Sequence, residues 1–100
     1  MYKVMIVDDE KFIRKSIRNR IDWERFGITE IEEAANGQEA LALQESFRPT
    51  IVLVDIRMPK MDGLAFITES KKRYPGINYI IMSAYSDFSY AKTAIQLGVE

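Results

Sequence analysis

The chain has 100 residues, 47% of them hydrophobic and 29% charged, with a formal net charge of -1. That length suits one small domain with a real core, and the near-neutral balance gives no electrostatic case for binding DNA or RNA directly. Without cysteine or histidine, disulfides, thiol chemistry, His-ligated zinc and a Ser-His-Asp triad are excluded, leaving carboxylates, hydroxyls, amines and backbone, a set of oxygen ligands suited to a hard cation such as Mg2+.

Lys3 to Val7 reads as a central strand ending in Asp8-Asp9-Glu10. Phe12, Ile13, Ile17 and Ile21 then recur at helical spacing, which predicts a helix from Glu10 to about Arg20. Asp22 to Gly27 reads as a short turn with two aromatic anchors, Trp23 and Phe26. Glu30 to Ala35 is a short strand whose Glu30, Glu32 and Glu33 suggest an edge position, because edges tolerate charge. Asn36-Gly37 opens a helix from Gln38 to Phe47, with Leu41 and Leu43 on its inner side. Arg48-Pro49 breaks it, and Ile51 to Val54 is a second central strand, closed by Asp55. Asp62-Gly63 starts a helix from Leu64 to Tyr74, buried through Ile67 and Tyr74 and ended by Pro75-Gly76. A fourth strand, Tyr79 to Met82, runs into Ser83, and a last helix is expected from Phe88 to Leu97, with Gly98 as its C-cap. No stretch nears the roughly 20 apolar residues of a membrane span, and Met1-Tyr2-Lys3-Val4 lacks a signal-peptide layout. A cytoplasmic chain without membrane contact is expected.

Strands and helices alternate with short connections, the pattern of an α/β protein: right-handed crossovers, a parallel sheet and helices on both faces. Two wholly apolar strands each end in carboxylate, so Asp8, Asp9 and Asp55 should meet at the carboxyl edge of the sheet, where open α/β sheets place their chemistry. Like charges this close resist joint ionisation, and a divalent cation relieves the repulsion. A carboxylate beside such a metal is a candidate nucleophile for phosphoryl transfer. The plainer alternatives are that Asp8-Asp9 serves only as a helix N-cap and that Asp62-Gly63 is only a turn and helix start.

At this point the chain resembles the receiver domains of two-component response regulators. The motifs are Val7-Asp8-Asp9-Glu10, Asp55-Ile56-Arg57-Met58-Pro59-Lys60-Met61-Asp62-Gly63 and Met82-Ser83-Ala84. Ile21-Asp22-Trp23-Glu24 and the stretch from Ala84 to Ala91 are similar to receivers of regulators carrying AraC-type DNA-binding domains. The resemblance implies a doubly wound, flavodoxin-like sheet, in strand order 2-1-3-4 over the strands found here. It implies that Asp55 accepts a phosphoryl group from a histidine kinase and that Asp9 binds Mg2+ directly. Asp8 would complete the acidic pocket, and the Arg57 backbone carbonyl would be a further ligand. Ser83 would supply the switch hydroxyl and Ala84 a backbone N–H to the phosphoryl oxygens, while Pro59 and Gly63 shape the loop after Asp55. The output would be control of a DNA-binding domain, through the helix that follows Ser86 with Tyr85, Phe88 and Tyr90.

Receivers continue into a fifth strand, a lysine and a last helix that have no counterpart in residues 1–100, and neither Lys60 nor Lys92 matches that lysine. Either the sequence is a piece of a longer regulator or it is a short receiver; in both cases the fourth strand is expected to offer an open edge, and self-association through that edge or the last helix follows. Two other readings stay open. One is an aspartyl-phosphate phosphatase or phosphotransferase of the haloacid dehalogenase kind, which usually needs an Asp two residues after the nucleophile, where this chain has Arg57. The other is an interaction module that keeps the receiver shape and works without phosphorylation.

Overall fold

A computed structural model describes residues 2–82. Ser83 and Ala84, the aromatics Tyr85, Phe88 and Tyr90, and the expected last helix lie outside the described residues. Within them the elements run β1 (Tyr2–Val7), α1 (Lys11–Arg20), a 3-10 turn (Trp23–Phe26), β2 (Ile28–Ala34), α2 (Gly37–Phe47), β3 (Ile51–Val54), α3 (Gly63–Arg73) and β4 (Asn78–Ile81). All strand pairs are parallel, in the order β2-β1-β3-β4. Four parallel strands in this order, with a helix after each of the first three, form the doubly wound sheet expected from the sequence.

Alternation along β1 and β3 divides the core between two faces. Met5, Val7, Val52 and Val54 pack with Ala40, Leu41 and Phe47 of α2 and Phe66 and Ile67 of α3. Val4, Ile6 and Leu53 face the other way, with Ile28, Ile17 of α1 and Trp23. Helices on both faces explain why β1 and β3 are continuous apolar runs. β2 is an edge, as its glutamates suggest, and β4 pairs with β3 alone among the described residues.

The helix boundaries follow local chemistry. Asn36 caps α2 by accepting the Glu39 N–H at 2.9 Å, and Asp62 caps α3 by accepting the Ala65 N–H at 2.8 Å. Each satisfies a backbone donor that the first helical turn leaves without a partner. Between α2, α3 and β4, Gln44 Nε2 donates to Ser70 Oγ at 2.8 Å, and the Ser70 and Tyr79 hydroxyls lie 2.5 Å apart. Gln44 and Ser70 are fully buried. Their pairing within the core tolerates polarity there because each hydroxyl finds a partner.

Four expectations change. α1 buries no residue: Phe12 is 78% exposed, since it lies about 100° around the helix from Ile13, and it is Ile17 that packs on the sheet. Trp23 anchors the turn, donating from Nε1 to the Arg18 carbonyl at 3.0 Å, but Phe26 points to solvent. Tyr74 is half-buried at the end of α3, where the Arg48 guanidinium lies 4.8 Å over its ring. β2 starts two residues earlier than expected, at Ile28, with a register irregularity opposite Tyr2 and Lys3.

With so little apolar burial, α1 is held to the sheet through charge. Glu33 of β2 accepts Arg14 Nε at 3.1 Å, Lys15 Nζ at 2.8 Å and Arg18 Nη1 at 2.8 Å. Burial alone would raise the Glu33 carboxyl; the hydrogen bonds from Lys15, Arg18 and Arg14 outweigh it and bring it down to about 2. A carboxylate lowered on folding stabilises the fold fully above its ordinary range and loses that contribution as pH falls toward the folded value. Glu33→Gln is therefore expected to cost about 1–2 kcal/mol at pH 7, limited because Lys15 and Arg18 are each close to half exposed. The difference from wild type should shrink steadily between pH 4.5 and pH 2, read by urea unfolding at each pH. An equal cost at both ends would place the effect in packing instead.

Candidate functional site: an acidic edge of the sheet

The register of the two central strands builds the site. Val7 lies opposite Val54, the Asp55 N–H donates to the Val7 carbonyl at 2.9 Å, and the Asp8 N–H donates to the Ala34 carbonyl at 3.1 Å. Asp8 and Asp55 thus emerge side by side where the chain winds outward in both directions from β1 and β3. Carboxylate oxygens of Asp8, Asp9 and Asp55 all lie within 4.8 Å of one another. Asp8 is buried, Asp55 half-buried and Asp9 exposed, a gradient from sheet to solvent.

Burial, and then the charge of Asp8, push the Asp55 carboxyl up to about 6, with Asp9 adding to the rise. Backbone N–H groups of Ile56 and Arg57 bond to the Asp55 carboxylate and pull the other way. Asp8 is raised by burial and by the charges of Asp9 and Glu10, against the Glu10 N–H that donates to its Oδ1 at 2.9 Å. That bond also answers the capping question. The N-cap position of α1 is Glu10 and carries no side-chain cap, so the Asp8-Asp9 pair is not spent on capping the helix. Asp62, by contrast, is the plain helix start that was the alternative for it.

The loop after Asp55 is shaped by a close backbone approach. Gly63 donates its N–H to the Ile56 carbonyl at 2.7 Å, and a Cβ placed on Gly63 would collide with the backbone carbonyl of Asp55. Met61 bonds back to the Pro59 carbonyl at 2.7 Å, across Lys60 in the left-handed region at φ 67°. The Met61 carbonyl receives the Gly37 N–H at 3.2 Å, tying this loop to the start of α2. Pro59 and Gly63 therefore do shape the loop. A separate groove of about 240 Å3, between Arg48, Pro49, Arg73, Tyr74, Pro75 and Ile77, sits at the opposite end of β3 and β4 and contains none of the carboxylates.

The three acids brought together suit a hard divalent cation: the donors are all oxygen, they converge, and two of them are strained toward the protonated form without a counter-charge. Sequence reasoning missed Arg14, whose Nη1 donates to the Asp8 carbonyl at 2.6 Å. The spacing of Arg14 from the acidic turn is visible in the chain, but the partner across β2 is not. Ser83 and Ala84 are outside the described residues.

A parallel doubly wound sheet with an acidic cluster at its topological switch point defines a CheY-like class of domain. The response regulator receiver domain model matches residues 4–100, and the chain belongs to that family. The REC domain of AraT, a response regulator from Geobacillus stearothermophilus, superposes with a TM-score of 0.90 at 41% identity, over 99% of this chain and 77% of that one. The "uncharacterized transcriptional regulatory protein YesN" of Bacillus subtilis (strain 168) is 38% identical over 100 residues, the whole of this chain and 27% of the relative. A CheX-CheY-BeF3-Mg2+ complex from Borrelia burgdorferi superposes with a TM-score of 0.86 at 29% identity, over 99% of this chain and 74% of that one. The chain is thus a two-component receiver domain, similar to those of transcriptional regulators, and spans about a quarter of the length of YesN. The haloacid dehalogenase alternative and the phosphorylation-independent module are not favoured by these likenesses.

Two outcomes follow from the geometry. Gly63→Ala is expected to lose about 2–3 kcal/mol in urea unfolding, because the backbone of Asp55 has to move to admit the methyl group. For Asp55, a folded pKa of about 6 against an ordinary value of 3.8 means that the folded state binds the extra proton, so stability falls as pH rises through that interval. Asp55→Asn should then unfold later than wild type at pH 7 in the absence of divalent metal, by on the order of 1 kcal/mol after solvent screening. Below pH 4 the gain should vanish; a gain independent of pH would remove the electrostatic cause.

Proposed function

We propose that Asp55 is the phosphoacceptor of this receiver and that Asp8, Asp9 and Asp55, with the Arg57 backbone carbonyl, hold Mg2+. The observation that carries the reading is the convergence of the three carboxylates within 4.8 Å at the sheet edge of a response regulator receiver. Bound Mg2+ would supply positive charge to neutralise the carboxylates and the incoming phosphoryl oxygens.

The chain's own residues do the rest. An Asp55 carboxylate oxygen attacks the phosphorus of a phosphohistidine on a histidine kinase; the P–O bond forms as the P–N bond breaks, and the departing imidazole takes up a proton. Backbone donors Ile56 and Arg57 favour the ionised form of Asp55 that attacks, against the burial and charge that oppose it. The product adds roughly -1.5 to -2 charge beside Asp55, which Ser83 and the Ala84 N–H are proposed to receive, drawing their loop inward and biasing a two-state element. In a longer regulator this would control a DNA-binding output domain. A cytoplasmic setting fits this partner, and no helix among the described residues is long and apolar enough to cross a membrane.

The test is intact-mass measurement after incubation with a small phosphodonor and Mg2+. Wild type is expected to gain the mass of one phosphoryl group and Asp55→Ala none. Unmodified wild type would sink the acceptor role for this chain, and sustained release of phosphate from added esters would favour an enzyme.

A further inference from the structure

We propose that Arg14 is a positioning residue that pre-forms the cation site by locking the main chain of Asp8. The inference rests on the reading of Asp8, Asp9 and Asp55 as the Mg2+ site. Arg14 reaches two places at once: Nη1 donates to the Asp8 carbonyl at 2.6 Å and Nε donates to Glu33 Oε1 at 3.1 Å. Both side chains of the Arg14–Glu33 pair are mostly shielded, at 14% and 11% exposure. The guanidinium thus links the turn after β1 to edge strand β2.

The consequence for Asp8 is full restraint. Its N–H is bonded to the Ala34 carbonyl of β2, its Oδ1 accepts the Glu10 N–H, and its carbonyl accepts Arg14. Because the peptide that follows is planar, fixing that carbonyl also fixes the direction in which the chain delivers Asp9. Three carboxylates at this separation repel one another, and the turn that carries two of them would relax outward if its backbone were free. A cation would then have to gather the ligands as it binds. Arg14 and β2 do this in advance, as the outer partners of metal ligands do elsewhere, where their removal weakens binding about 10–100-fold. The fork geometry matters: lysine offers a point charge and cannot span both acceptors in the same way.

A charge effect and a positioning effect have opposite signs here. Removing a positive charge near a cation site should, by Coulomb's law alone, tighten cation binding. Lys15 provides the matched control. It donates to the same Glu33 at 2.8 Å, to its Oε2 rather than the Oε1 that Arg14 takes, carries the same charge and is half exposed.

The experiment is calorimetric titration of the full chain with Mg2+ at pH 7, alongside thermal unfolding in chelator. Arg14→Met is expected to bind Mg2+ about 10-fold more weakly than wild type, Arg14→Lys to stay several-fold weaker, and Lys15→Met to bind equally or slightly tighter. Glu33→Ala, which leaves Arg14 in place without its orienting partner, is expected to weaken binding about 3-fold and carries the test if Arg14→Met does not fold. A lower unfolding temperature with an unchanged Mg2+ dissociation constant would make Arg14 merely structural and overturn the proposal. A wild-type chain that does not bind Mg2+ would instead overturn the metal reading on which it stands.

Discussion

The parallel pairing of β1 with β3 is the constraint on which the rest of the structure depends. One hydrogen bond, from the Asp55 N–H to the Val7 carbonyl, sets the level at which the two strands end. Because side chains alternate along a strand, a slip of one residue would exchange the two faces of the core and turn the carboxylates apart. The register is secured by what each face packs against. Val7 and Val54 must meet α2 and α3, while Ile6 and Leu53 must meet the α1 side. Burial on both faces thus specifies where the acids stand, although their charges repel one another.

The site carries a cost in stability that the surroundings offset. Bringing Asp8 and Asp55 out of water and beside each other raises both carboxyls, which is the opposite of what a purely structural carboxylate does. Glu33 is the contrast: the same kind of group, comparably shielded, is lowered to about 2 because three cations surround it. Three positive side chains of α1 are thus gathered on one carboxylate of the edge strand, Glu33. Two carboxyls raised by burial and mutual charge favour an external cation, whose charge relieves their repulsion.

Much of this was legible along the chain. The two apolar runs ending in acid, Val4–Val7 and Ile51–Val54, announce both the strands and their common edge, because a strand buried on both faces needs apolar residues throughout. Asn36 and Asp62 mark helix starts by a local hydrogen bond, and local chemistry is what a sequence displays best. Periodicity was less informative for α1. Its apolar residues predict a buried face, yet the helix buries no residue and is held by Arg14, Lys15 and Arg18 on one glutamate. Glu33 read as an ordinary edge charge because its partners stand 15 to 19 positions away in the chain. The buried Gln44–Ser70–Tyr79 contact was equally hidden, since nothing local distinguishes a polar residue that will be paired in the core from one that faces water.

By itself the sequence determined the element order, the parallel α/β class and the set of acids, since each depends on short-range pattern: continuous apolar runs, capping residues, and carboxylates placed directly after strands. Tertiary structure alone decided which distant groups share a hydrogen bond. It assigned the Asp8 carbonyl to Arg14, Arg14 to Glu33, and the backbone of Gly63 to the space against Asp55. The physical reason is that these pairings are set by the register and layering of the whole sheet, and a residue's own neighbours in the chain carry no record of them.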